Sequence, residues 1–121
     1  MSKLLNILVL DDDTENADAL AELFASENHN VIVAYDGPQA IDAFANNKVD
    51  LGFFDVMMPG KNGVESFLEI REANPAARIY FMTGYSSDAL LDKATDKGAL
   101  GVFGKPTDPA MLLEVVDRES A

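Results

Sequence analysis

The sequence predicts an α/β fold: a doubly wound, five-stranded parallel sheet with five helices on its two faces. Three observations carry this expectation. Short apolar runs at 7–10, 31–34, 51–54, 79–82 and 101–103 alternate with amphipathic stretches. All but the third run contain β-branched residues, and their length suits strands buried on both faces. Turn and cap residues separate the two kinds of segment. The 121 residues are read as one domain over 1–121, since a domain usually takes about 100–200 residues.

The elements follow in order. After the first run, Ala17, Leu20, Ala21 and Phe24 recur at the spacing of a helical apolar stripe. The second run ends at Asp36-Gly37-Pro38, where proline at an early helical position opens the next helix. Ile41, Phe44 and Ala45 continue that stripe. The third run leads to Val64, Phe67 and Leu68. Asn74-Pro75 stops this helix, because the residue before proline disfavours helical angles. After the fourth run come Leu90, Leu91 and Ala94, with Gly98 as a C-terminal stop. The fifth run precedes Pro109, then Leu112, Leu113 and Val116.

Five β-α pairs imply a parallel sheet covered on both faces. Right-handed crossovers leave few topologies, and the flavodoxin-like order 2-1-3-4-5 is the natural one. In that order strands 1 and 3 are neighbours at the switch point, where ligands bind beyond the carboxyl ends of the strands.

Composition narrows the functions available. With 48% hydrophobic and 25% charged residues the chain reads as folded rather than disordered. A net charge of −12 argues against direct nucleic-acid binding or attachment to an anionic membrane, since both need a cationic patch. No apolar run approaches the ~18 residues of a membrane span. The first residues lack the apolar region of an export signal. With no cysteine, disulfides and thiolate chemistry are ruled out. The expected compartment is the cytoplasm.

The strand ends carry the chemistry. Asp11, Asp12 and Asp13 follow the first run, Asp55 the third, Thr83 the fourth, and Lys105-Pro106 the fifth. Distance in sequence vanishes along one sheet edge. At ~4 Å and an effective dielectric near 20, each pair of carboxylates repels by about 4 kcal/mol. Three clustered acids therefore need protons or a cation. A hard divalent ion answers this: Mg²⁺, or Mn²⁺ in its place, takes one or two carboxylates, keeps waters and also binds phosphate. Lys105 adds a positive charge and Thr83 a hydroxyl donor. The set suits a transferring phosphoryl group with a carboxylate as nucleophile. Capping of the first helix explains Asp13 or Thr14, but it leaves the other acids unexplained.

The ordered set of Ile7-Leu8-Val9-Leu10-Asp11-Asp12-Asp13, Asp55-Val56-Met57-Met58-Pro59-Gly60, Asn62-Gly63, Met82-Thr83-Gly84 and Gly104-Lys105-Pro106 resembles the response-regulator receiver family. That resemblance implies a phosphoacceptor at Asp55. It implies direct metal ligation by Asp12, water-mediated ligation by Asp11, and a backbone-carbonyl ligand at Met57. Thr83 and Lys105 resemble the residues that meet the phosphoryl oxygens, with a cis bond from Lys105 to Pro106. The implied donor is a sensor histidine kinase, a phosphotransfer protein or a small acyl phosphate. The implied output is a domain or partner at the face of helix 4, strand 5 and helix 5.

Three positions depart from the family pattern. Val102 stands where an aromatic switch is common, and Phe103, one residue later, points to the other face of the strand. Output is then expected to run through the loop after Thr83 and the fourth helix. Tyr85 occupies a position tied to phosphoryl lifetime and is expected to restrict water. Thr107 replaces a common phenylalanine, with no functional account. His29, between helix 1 and strand 2, reads as a surface loop residue. The competing functions are a haloacid-dehalogenase-like phosphatase and a receiver that binds partners without phosphorylation. Against the phosphatase, Glu15 sits where that family needs Thr or Val. The full set of site residues gives no support to the second.

Overall fold

The structure is a computed structural model, and it describes residues 3–84 and 88–120. Strands and helices alternate along the chain: β1 (Asn6–Leu10), α1 (Thr14–Ala25), β2 (Asn30–Ala34), α2 (Gly37–Asn46), β3 (Leu51–Asp55), α3 (Gly63–Ala73), β4 (Ile79–Thr83), α4 (Asp88–Asp96), β5 (Gly101–Gly104) and α5 (Pro109–Glu119). The five strands form one parallel sheet in the order β2-β1-β3-β4-β5, as the sequence predicts. Among the described residues no helix is long and apolar enough to cross a membrane.

Alternation along the strands divides the core into two layers. Leu8, Leu10, Phe54 and Phe81 face Phe44, Phe67 and Ala94 from α2, α3 and α4. Ile7, Val9, Phe53, Tyr80 and Met82 face Phe24 of α1 and Leu112 and Val116 of α5. Phe53 centres the second layer. Its ring stacks on Phe24 at 5.0 Å and on Tyr80 at 5.7 Å. Every residue of β3 and β4 is buried, which explains why these runs show no polar alternation.

Side-chain caps fix where the helices begin. Asp13, Asp36 and Asp108 accept backbone N–H bonds from Asn16, Gln39 and Ala110. Asn62 and Glu65 form a reciprocal capping box at α3. Strand pairing continues further than the apolar runs suggest, so that Asp55 closes β3 and Thr83 closes β4. In α2 the stripe is shifted, with Ala40 buried and Ala45 exposed.

One expectation is corrected. His29 is 8% exposed, and its Nδ1 accepts the backbone N–H of Leu5 at 2.9 Å. The turn after α1 passes through Asn28 at φ 70. It then folds back onto the segment before β1, where Asn30 N–H reaches the Leu5 carbonyl at 3.0 Å. The polar neighbours of His29 in sequence gave no sign of that closure.

Candidate functional site

The ladder runs past the ends of the strands and sets the edge on which the site is built. Asp11 N–H donates to the Ala34 carbonyl at 3.1 Å, Val56 N–H to Met82 at 3.0 Å, and Lys105 N–H to Thr83 at 2.8 Å. Asp11, Asp55, Thr83 and Lys105 therefore stand on one rim as a consequence of strand register. The Lys105–Pro106 bond is cis. Gly63 closes the rim from α3: a Cβ there would lie 1.9 Å from the Asp55 carbonyl oxygen. Only glycine lets the start of α3 come this close to the end of β3.

Asp11 is fully buried and Asp55 nearly so, while Asp12 is exposed. Each of the three offers a carboxylate oxygen, and these oxygens lie within 4.8 Å of one another. Lys105 Nζ sits 2.9 Å from Asp11 Oδ2 and 3.3 Å from Asp55 Oδ2. Thr83 is buried at the end of β4. Met57 lies in the loop after β3, and its side chain is half exposed. Tyr85 lies outside the described residues.

Electrostatics follow from this geometry. Burial, then the Asp11 charge, push the Asp55 carboxyl up to about 6, against the opposing pull of Lys105. Burial also acts upward on Asp11. There the hydrogen bonds from Lys105, Asn16 and the Asp13 N–H outweigh it and hold the group below the usual carboxylate range. Lys105 is raised: burial works against its charge, but the bond to Asp11 and the charges of Asp55 and Asp11 win. Three carboxylates facing one ammonium leave two negative charges in excess when all are ionised. All the donors are hard oxygens. That donor set and that excess fit a divalent cation such as Mg²⁺.

The structure thus brings together Asp11, Asp12, Asp55 and Lys105, with Thr83 on the same rim. It adds one residue that the sequence reading missed. Asn16, half-buried in the first turn of α1, donates from Nδ2 to Asp11 Oδ2 at 2.6 Å. The sequence carried part of the signal, a cap at Asp13 or Thr14 that starts the helix directly after β1, but not which side chain of that first turn reaches Asp11. At the fifth strand Phe103 packs inward against Phe53 and Tyr80, while Val102 is 41% exposed. This is the alternation expected of a strand.

Known proteins share both the sequence pattern and the fold. The sequence profile described as "Response regulator receiver domain" matches residues 7–117. The transcriptional regulatory protein CpxR of Klebsiella pneumoniae is 47% identical over 107 residues, covering 88% of this chain and 45% of that protein. The chain spans between about a quarter and a half of the curated relatives it matches. A receiver domain protein (CheY-like) from Methanospirillum hungatei superposes with a TM-score of 0.89 at 26% identity, over 97% of both chains. The CheX-CheY-BeF3-Mg+2 complex from Borrelia burgdorferi gives 0.85 at 30% identity, over 93% of this chain and 86% of that one. By its profile, its topology and the acids on its rim, the chain belongs to the response regulator receiver domain family.

Proposed function

We propose that this chain is the phosphoacceptor of a two-component phosphorelay, with Asp55 as the residue that takes the phosphoryl group. The observation that carries the reading is the setting of Asp55. Its carboxylate is buried beside Lys105 and shares a cluster with Asp11 and Asp12. A carboxylate oxygen of Asp55 forms a bond to phosphorus as the bond from phosphorus to the donor breaks. The donor's imidazole, or the carboxylate of a small acyl phosphate, leaves with the electron pair.

Asp11, Asp12 and Asp55 would hold Mg²⁺ or Mn²⁺, together with the backbone carbonyl of Met57. Such an ion, when bound, supplies neutralisation of charge on the transferring phosphoryl oxygens. The relative from Borrelia burgdorferi is named as a complex with BeF3 and Mg+2, which supports the same chemistry here. Lys105 pairs with a phosphoryl oxygen, and Thr83 donates its hydroxyl to another. The chain acts as one unit and as a cytoplasmic signalling switch rather than an enzyme. It assists its own phosphorylation and dephosphorylation. Its partners are a sensor histidine kinase or phosphotransfer protein, and an output partner at the α4–β5–α5 face.

Intact mass after incubation with acetyl phosphate tests the reading. One added phosphoryl group is expected with Mg²⁺, absent without metal and absent in Asp55→Asn. Steady hydrolysis of unrelated phosphomonoesters without a stable adduct would instead favour a phosphatase.

A further inference from the structure

Asp11 Oδ2 carries two donors, Asn16 Nδ2 at 2.6 Å and Lys105 Nζ at 2.9 Å. The other oxygen accepts the Asp13 N–H at 3.0 Å. The carboxylate is fully buried, and an ionised carboxylate only accepts hydrogen bonds. A buried charged oxygen that loses every donor is strongly disfavoured. Lys105 therefore cannot leave Asp11 freely unless a second donor stays behind. Asn16 is that donor, held at its station by the first turn of α1 and by the Asp13 cap.

We propose that Asn16 is a positioning residue for phosphoryl transfer: it keeps Asp11 satisfied and so releases Lys105 to move from Asp11 to the phosphoryl group arriving on Asp55. The inference rests on the reading of Asp55 as phosphoacceptor. Lys105 already reaches toward that side, 3.3 Å from Asp55 Oδ2. With an apolar residue at position 16, Lys105 would be the one side-chain donor left on Oδ2, beside any Mg²⁺ that the acids hold, and the lysine would be tethered more tightly to Asp11. Asn16 touches neither the donor nor the transferred group. Its effect passes entirely through Asp11 and Lys105.

The test is the rate of Asp55 phosphorylation by acetyl phosphate at saturating Mg²⁺, followed by intact mass, with Mg²⁺ affinity measured separately by calorimetry. Asn16→Leu is expected to slow the rate roughly tenfold or more, the scale of one hydrogen bond to a buried charge. Asn16→Gln, which keeps an amide donor, is expected to restore most of the rate. In a Lys105→Met background, Asn16→Leu is expected to cost less than about twofold further, because the lysine it releases is gone. An Asn16→Leu protein that melts like wild type and phosphorylates within about twofold of it overturns the proposal. So does an equal loss in both backgrounds, which is the behaviour of a merely structural residue. If Asn16→Leu does not fold, Asn16→Ala, smaller and equally without the donor, is held to the same thresholds. A wild-type protein that gains no phosphoryl group overturns the phosphoacceptor reading and this inference together, whereas normal wild-type phosphorylation with an indifferent Asn16 overturns this one alone.

Discussion

The ammonium of Lys105 sits 2.9 Å from the fully buried carboxylate of Asp11, joining residues 94 positions apart in the chain. The pair ties β5 to β1 across the sheet edge although β3 and β4 lie between them. Replacing Lys105 with Met leaves Asp11 buried with a weaker set of partners. Breaking a buried pair costs about 3–5 kcal/mol. Because Asn16 and the Asp13 N–H remain on Asp11 and Lys105 is a quarter exposed, a loss near or below the lower end is expected. Urea unfolding in chelator measures it, and added Mg²⁺ is expected to recover part of the loss.

Stability should depend on pH through Asp55 in the absence of metal. Its folded-state pKa of about 6 lies above the ordinary 3.8, so the folded protein binds this proton more tightly than the unfolded chain. The contribution is therefore fully present below the ordinary value and is lost as pH rises through about 6. Asp55→Asn is neutral at every pH. It is expected to stabilise the metal-free protein by about 2 kcal/mol at pH 7.5 and by little at pH 4. Urea midpoints at the two pH values decide it, and an Asp55→Asn gain that does not grow with pH would count against the charge cluster. Asp11 acts with the opposite sign. Its lowered value gives stability above the usual carboxylate range that is lost only as pH falls through that lowered value.

Gly63→Ala should damage both stability and site. The added Cβ meets the Asp55 carbonyl oxygen at 1.9 Å, and backbone cannot swing aside as a side chain can. Overpacking of this kind typically costs about 1–3 kcal/mol and occasionally more. Thermal unfolding should show a loss at the upper end, and calorimetry should show weaker Mg²⁺ binding, because relief of the clash moves the end of β3.

Asn62→Ala is the contrasting case. It removes the side-chain half of the α3 capping box without touching a carboxylate of the cluster. A loss of about 1 kcal/mol is expected, with phosphorylation by acetyl phosphate within about twofold of wild type.

His29→Leu should cost about 1–3 kcal/mol, because the buried N–H of Leu5 loses its acceptor. Hydrogen exchange at Leu5 is expected to accelerate in the variant. A variant as stable as wild type, with Leu5 equally protected, would mean that the turn after α1 does not depend on this bond.

Strand and helix order, sheet order and the acids at the strand ends were all legible in the sequence. These follow from local rules: apolar runs bounded by caps and turns, the hand of β-α crossovers, and the convergence of strand ends at a switch point. The sequence also put Val102 and Phe103 on opposite faces of β5, because strand alternation has a period of two, but both read as core, and Val102 is instead 41% exposed while Phe103 packs inward. What those residues meet was settled by the way the elements pack. His29 lies among polar neighbours, yet it is buried because the turn at Asn28 closes on Leu5. Gly63 enters the sequence reading only as part of the Asn62-Gly63 pair, and its need to be glycine comes from a backbone brought up by β3. Asn16 reads as one more polar residue of a helix start, and its bond to Asp11 exists because the Asp13 cap turns that helix back over the end of β1. Periodicity and charge fix which face and which edge a residue occupies. The pairing of buried polar atoms depends on how separate elements approach one another, and that is decided by packing across the whole sheet.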